Sequence, residues 1–308
     1  MNSLLTYDSC SLCPRNCHIN RHLSTGYCDC GDTIKAARAA LHQWEEPCIS
    51  GLQGSGTVFF TGCTLRCCFC QNYTISQENL GKELTTDKLA DIFLDLQDQG
   101  AHNINLVTAT QYLPSILPAL DLMKHRLTIP IVYNCGGYEK LETIKSLNDY
   151  IDIWLPDLKY YNSDLSARYS KAPDYFTVAS EAIKQMIQLS GTPEFTTFTD
   201  NNGNSCLLMT RGTIIRHMVL PGAKEDSIKL LHWMKESLPP NQYYISIMSQ
   251  YTPFYHSSEY PELNRRITTY EYNKVIDTAI SLGLDQGFMQ EKSSAKEEYT
   301  PPFDLEGL

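Results

Sequence analysis

Short apolar runs alternate with longer amphipathic stretches along most of this chain. The strand-like runs are GTVFF (56–60), NINLV (103–107), PIVY (130–133), IDIWL (151–155), TIIRHMV (213–219) and YYISIM (243–248). Each is brief and rich in β-branched or aromatic residues, which suit a pleated, buried surface. Helical periodicity occupies residues 86–99, 113–124, 139–148, 174–189, 225–237 and 269–282. Thr85-Thr86-Asp87 and Thr269-Tyr270-Glu271 read as capping-type helix openings. Six such units in succession predict an α/β fold with a parallel sheet, open or partly closed into a barrel.

Three stretches break the alternation. IKAARAALHQW (34–44) predicts a helix, which Pro47 ends. In residues 194–209, Asn202-Gly203 sits between TFT and CLLM and predicts a hairpin inserted before the fifth strand. Residues 291–308 are polar and contain prolines, and predict a flexible tail. The chain therefore divides into a cysteine-rich segment (1–33) too small to build a core alone, a β/α body (34–290) and the tail (291–308).

Composition narrows the class. An apolar fraction of 42% with 19% charged residues suits a soluble globular protein. No apolar run approaches the roughly 18 residues that span a bilayer. The N-terminus lacks the basic and apolar regions of a signal peptide. The expectation is a cytoplasmic protein with no membrane association. The net charge of −10 argues against a nucleic-acid partner, which requires basic surface.

The twelve cysteines change the picture most. In a chain expected to be cytosolic, dense cysteines point to metal ligation before disulfides. Four of them lie in TGCTLRCCFCQN (61–72), directly after the first strand, where parallel β/α folds place their chemistry. Cys63, Cys67 and Cys70, spaced x3 then x2, can wrap one metal centre. A structural zinc site would call for a fourth ligand, and Cys68 is poorly placed because adjacent side chains diverge. Three cysteines on an iron–sulfur cubane leave one iron open to bind a further molecule. A zinc knuckle or unligated core cysteines are the plainer alternative.

CTLRCCFC, with an aromatic residue just before its third cysteine, resembles the signature of radical S-adenosylmethionine enzymes. Residues 42–72, YNCGGYE, DIWLPDLKYY, IIRHMVLPG and IMSQYTP together resemble the subgroup similar to pyruvate formate-lyase activating enzymes. The resemblance runs from about Cys10 to Gln290. It implies a partial (β/α)6 TIM-type barrel with a small N-terminal cysteine-rich metal-binding segment. It also implies a 4Fe–4S cluster on Cys63, Cys67 and Cys70, whose open iron takes the amino and carboxylate groups of S-adenosylmethionine. Reductive cleavage would then give a 5′-deoxyadenosyl radical that abstracts a substrate hydrogen, with the cofactor carrying the hard chemistry.

The same resemblance assigns cofactor-binding roles. Phe69 is expected near the adenine, and Asn134 at the ribose hydroxyls. Gly136 and Gly137 would permit close backbone approach or a tight turn. Asp157, Lys159, Arg216 and Gln250 would line the cofactor end of the barrel, with Lys159 and Arg216 suited to a carboxylate. One departure is plain. Where many relatives carry Gly-Gly-Glu-Pro after the second strand, this chain has VTATQYLP (107–114), leaving Thr108, Thr110 and backbone carbonyls to cradle the methionine amine. His42 with Glu45 or Glu46 reads as a polar network near the substrate or as a solvated helix end.

Cys10, Cys13, Cys17 and Cys28 match the four cysteines that precede the barrel in the subgroup. They are expected to hold a second metal site, either zinc or iron–sulfur. His18 and His22 read as surface histidines. A low-potential reductant such as flavodoxin or ferredoxin is the implied donor, and a glycyl radical protein the implied substrate. Two other readings compete: radical modification of a small molecule or peptide, and a non-enzymatic zinc or iron–sulfur binding or electron-transfer protein.

Overall fold

The computed structural model describes residues 5–290 and 300–308. In chain order the elements begin with β1 (Ile34–His42), α1 (Pro47–Ser50), β2 (Ser55–Phe60), α2 (Tyr73–Ser76), β3 (Lys82–Leu84) and α3 (Thr86–Asp98). They continue through β4 (Ile104–Val107), α4 (Leu113–Met123), β5 (Ile131–Cys135), α5 (Leu141–Ser146), β6 (Ile153–Pro156), α6 (Ser163–Ser170) and α7 (Tyr175–Ser190). The last are β7 (Glu194–Thr199), β8 (Ser205–Met218), α8 (Lys224–Ser237), β9 (Tyr244–Met248), α9 (Thr269–Ser281) and β10 (Gly287–Met289).

All six expected strands form. The sheet order is β10-β9-β8-β6-β5-β4-β2-β1-β3. Along the sheet from β2 to β10 every pairing is parallel and the order follows the chain without reversal. β2 is buried at every position and β4, β5 and β6 likewise, so each is mostly apolar, with Ser55, Thr57, Asn105 and Asn134 as buried polar exceptions. One core lies between the sheet and α3, α4 and α7, around Phe93, Leu106, Ile116, Trp154 and Met186. A second joins α7, α8 and α9 to β8 and β9 through Ile183, Leu230, Ile245 and Val275.

The expected hairpin also forms: β7 pairs antiparallel with the first part of β8, and Asn202-Gly203 lies in its turn. The opening of α9 lies one residue earlier than expected. Thr268 is its N-cap and forms a reciprocal capping box with Glu271.

Two expectations are corrected. Residues 34–42 are not a helix but strand β1, antiparallel to β2 and β3. Its alanines are helix formers, yet Ala36, Ala37 and Ala39 are buried and their backbone groups are satisfied by neighbouring strands, so tertiary pairing overrides propensity. Pro47 accordingly does not end a helix; it occupies the first turn of α1. His42 pairs with Ser55 at the start of β2, so α1 lies at the N-terminal end of the parallel strands. There Cys48 and Ile49 pack with Val132, Leu155, Met209 and Ile214 and cover that end of the sheet.

The expected flexible tail is the second correction. Residues 291–299 lie outside the described residues, but residues 300–308 dock along β1. Leu305 N donates to Ala37 O, Ala39 N donates to Glu306 O, and Arg38 pairs with Asp304 at 2.7 Å. Phe303 packs edge-on against Phe59.

Candidate cofactor and active site

β2 delivers the chain to Gly62, whose backbone is left-handed (φ +86°). A Cβ there would sit 2.1 Å from Cys30 Sγ and 2.8 Å from the Cys28 carbonyl, so the cysteine-rich N-terminal segment packs directly beneath the loop. Arg15 Nε donates to Thr64 O (2.9 Å), and Arg66 donates to Tyr27 O (2.6 Å). Gln111 Nε2 donates to the carbonyls of Thr61, Gly62 and Thr108 and so ties the loop to the segment after β4.

Cys63, Cys67 and Cys70 all line one cavity of about 300 Å³ at the C-terminal ends of the parallel strands. Cys68 does not; it faces the core beside Leu65 and Tyr169. Each lining sulfur has a hydrogen-bond partner. Leu65 N donates to Cys63 Sγ (3.4 Å), Ser170 Oγ donates to Cys67 Sγ (2.9 Å), and Cys70 Sγ meets Ser76 Oγ (3.3 Å). Tyr160 OH in turn contacts Ser170 Oγ at 2.7 Å. Burial pushes the Cys63 and Cys67 thiols up, and the Cys70 thiol up to about 11. Thiolates here therefore require a cationic centre beside them.

Opposite the thiols lies a buried charge network. Arg216, on β8, reaches Asp157 (2.9 Å), Glu45 (3.2 Å) and Asn134 Oδ1 (2.6 Å). Lys159 pairs with Asp157 at 2.5 Å. Asn134 Nδ2 and Asn105 Nδ2 both donate to Glu45 Oε1 at 3.2 Å. Burial pushes the Asp157 carboxyl up, but Arg216 and Lys159 outweigh it and hold it below the usual range. For Glu45, burial wins over Arg216 and the carboxyl is raised. The Glu45 and Glu46 side chains are thus buried lumen groups rather than a solvated helix end.

Phe69, Asn134, Gly136, Asp157, Lys159, Arg216 and Gln250 all line the cavity, so the structure gathers these sequence-selected residues in one place. Phe69 also meets Tyr251 edge-on. Gly137, at φ +78°, lets the chain pass the Asp157 carbonyl, which a Cβ would strike at 2.1 Å. Thr108 lines the cavity too and holds φ +57°, a strained setting for a β-branched residue. Thr110 does not; it is buried beneath, bonded to Tyr133 OH and Glu139. Sequence reasoning missed Ser76, Ser170 and Gln290, which carries Gln250 through a 3.2 Å bond. No local pattern marks them.

The N-terminal cysteines lie close together without forming a closed site. Gly26 stands between Cys17 and Cys28, 3.6 Å from each sulfur by a Cβ added there. Arg21 is buried near Cys10 and donates to the Cys30 carbonyl. A hydrogen bond with Cys30, stronger than the opposing burial, lowers the Cys28 thiol to about 6. His22 pairs with Asp8 and Asp32. Among the described residues, no three His, Cys, Asp or Glu side chains close around a single ion.

The molecule is thus an α/β protein that presents three half-buried thiols and a compensated charge network in one cavity at the C-terminal end of a mostly parallel sheet. Residues 57–199, just under half of the chain, match the model of the radical SAM superfamily. The superfamily implies an enzyme with a 4Fe–4S cluster and S-adenosylmethionine, and all three lining thiols lie within the matched residues. The chain is 29% identical over 289 residues to the uncharacterized protein MJ0674 of Methanocaldococcus jannaschii, covering 91% of this chain and 76% of that protein. Among solved structures, Streptococcus suis SuiB bound to its precursor peptide SuiA matches with a TM-score of 0.48 and 13% identity, over 74% of this chain and 46% of SuiB. The hydrogenase maturase HydG of Carboxydothermus hydrogenoformans matches with a TM-score of 0.47 and 15% identity, over 77% and 53% of the two chains. This chain therefore spans about half the length of those solved proteins. Among the described residues no helix is long and apolar enough to cross a membrane.

Proposed function

We propose that the protein is a radical S-adenosylmethionine enzyme acting on a compact substrate held in the barrel lumen. The observation that carries this is the convergence of Cys63, Cys67 and Cys70 on the cavity that Phe69, Asn134, Asp157, Lys159, Arg216 and Gln250 also line. In this reading the three cysteines hold the cluster, which with S-adenosylmethionine supplies reductive bond cleavage for hydrogen-atom abstraction. Phe69 offers an apolar face to the adenine. Asn134 is fixed for the ribose hydroxyls by its bonds to Glu45 and Arg216. Thr108, rather than Thr110, is the side chain that reaches the cofactor's amino group, and Lys159, held by Asp157 and the foremost cation acting on Cys67, is offered to its carboxylate.

The cavity of about 300 Å³ would also take the cluster and S-adenosylmethionine, so the room left favours a small molecule or one side chain of a peptide. A glycyl radical protein, suggested by the subgroup resemblance, would have to thread a backbone loop into the same space. The fold in this reading is a partial (β/α)6 barrel, cytoplasmic and fed by a low-potential donor. Cys10, Cys13, Cys17 and Cys28 would hold zinc or a second cluster, supported by the sulfurs flanking Gly26.

Anaerobic reconstitution tests the assignment. The expected result is a brown protein that gains about four irons at the loop and converts S-adenosylmethionine to 5′-deoxyadenosine on reduction. Replacing Cys63, Cys67 and Cys70 together with Ala should abolish both. Any metal left in that triple variant reports on the N-terminal cysteines. Colourless wild-type protein holding only zinc, or cleavage surviving in the triple variant, overturns the reading.

A further inference from the structure

The cavity floor holds three acids and two cations. Glu45 and Asp157 take up Arg216, and Asp157 also takes up Lys159. Glu46 is the acid left over. It is only 7% exposed, lines the cavity, and has no ion pair among the described residues. Its Oε2 is buried with no hydrogen-bond partner, while Ser246 interacts with the carboxyl from β9. Burial pushes this carboxyl up to about 6, and Arg216, whose Nε has no hydrogen-bond partner of its own, offsets only part of that. A buried acceptor left open in this way calls for a donor from outside the protein.

Part of the cavity wall is apolar: Phe59, Met218, Met248 and Phe288 line the same cavity as Glu46. Apolar wall residues together with one unpaired carboxyl suit an alkyl stem capped by a positive charge. One free oxygen and a neighbouring hydroxyl suit the three donors of a point-like ammonium better than a planar guanidinium, which binds best to both oxygens of one acid.

We propose that Glu46 is the substrate-recognition residue of this cavity and takes a primary ammonium on an alkyl stem, either a free alkylamine or a lysine side chain. This deepens the reading above and rests on it for the claim that the bound amine is the hydrogen donor. The binding claim itself stands on the floor's charge balance.

The test uses the full chain, reconstituted and supplied with S-adenosylmethionine but no reductant. Saturation-transfer nuclear magnetic resonance compares n-butylammonium, Nα-acetyl-lysine amide and its uncharged isostere Nα-acetyl-norleucine amide. At least one ammonium probe should bind about tenfold or more tighter than the isostere. Preference between the two ammonium probes separates a free amine from a side chain. Glu46→Gln should erase the charge preference, and Glu46→Asp should keep part of it. Equal binding of charged and neutral probes by the wild-type protein, which involves no variant that could misfold, overturns the proposal. So does a Glu46→Gln protein that folds and retains the preference. Failure here leaves 5′-deoxyadenosine formation intact, whereas failure of the enzyme reading removes that product whatever the amines do.

Discussion

At the scale of single residues, a tightly constrained position beside the site is a glycine rather than a ligand. Gly62 holds the left-handed turn that launches the cysteine loop, and a methyl group there would drive into Cys30 Sγ and the Cys28 carbonyl. Gly191, at φ +68°, ends α7 with nothing within 4 Å of the same added atom. The two separate backbone strain from packing. Gly191→Ala should cost about 1–2 kcal/mol, the conformational penalty alone. Gly62→Ala should cost at least about 3 kcal/mol, because the N-terminal segment or the loop has to move. Urea unfolding of both variants decides it; equal losses would mean that the segment beneath the loop is not packed as described. The charged residues of the lumen follow the same logic of mutual constraint. Asp157, Glu46 and Glu45 together outweigh burial and hold the Arg216 guanidinium charged, so its removal would break the ion pairs of Glu45 and Asp157 at once.

At the scale of elements, two supports lie far from the chemistry. The Thr268–Glu271 capping box opens α9, and Glu271 also accepts from Gly222 N and binds Arg265 through both oxygens. Thr268→Ala should cost about 1 kcal/mol in unfolding free energy, whereas a loss near zero would show that the Arg265 contact alone holds the turn. The C-terminal residues 300–308 complete β1 by pairing its outer side and covering Phe59 with Phe303. Truncation after residue 299 should lower the thermal midpoint by several degrees, on the order of one lost apolar cluster plus its backbone bonds; an unchanged midpoint would mean the segment rests on β1 without stabilising it. These elements also show what the sequence could disclose. Strands β2, β4, β5, β6 and β9 are legible because burial on both faces leaves continuous β-branched runs, and the hairpin because Asn-Gly dictates its turn. The cysteine loop is legible because its ligand spacing is local. β1 is not, since its alanines favour helix until β2, β3 and the distant C-terminus supply partners. Ser170 is not, because the tertiary fold brings it to Cys67 across 103 positions. Glu45 is visible as an acid but not as the hub joining Asn105, Asn134 and Arg216.

At the scale of the whole molecule, buried ionisable groups set how stability varies with pH, and they pull in opposite directions. Glu271 is held well below the usual carboxylate range, chiefly by Arg265, so its contribution is present at neutral pH and lost on acidification. Asp157 acts in the same sense. His217, pushed down to about 4 by burial, is folded in its neutral form and likewise loses stability as the pH falls below its ordinary value. Glu139 runs the other way. It is 3% exposed, packed where β5 meets α5, and its neighbour Thr143 donates to the Leu12 carbonyl of the N-terminal segment. Burial pushes its carboxyl up to about 8, and the hydrogen bonds of Thr110 and Tyr133 offset only part of that. Because the folded value exceeds the unfolded one, the folded state retains a proton that the unfolded chain has already released. Its stabilising contribution is therefore complete below the ordinary carboxylate value and is lost as the pH rises through about 8. The molecule should be most stable in mildly acidic solution, with an acid limb set by Glu271, Asp157 and His217 and an alkaline limb set by Glu139. Glu139→Gln keeps the hydrogen-bonding shape without the charge. It should flatten the alkaline limb, which amounts to a few kcal/mol between about pH 5 and 8, and leave the acid limb unchanged. Urea midpoints of the two proteins across that range measure the difference directly, and parallel curves would show that Glu139 ionises in the folded protein as freely as it does in water.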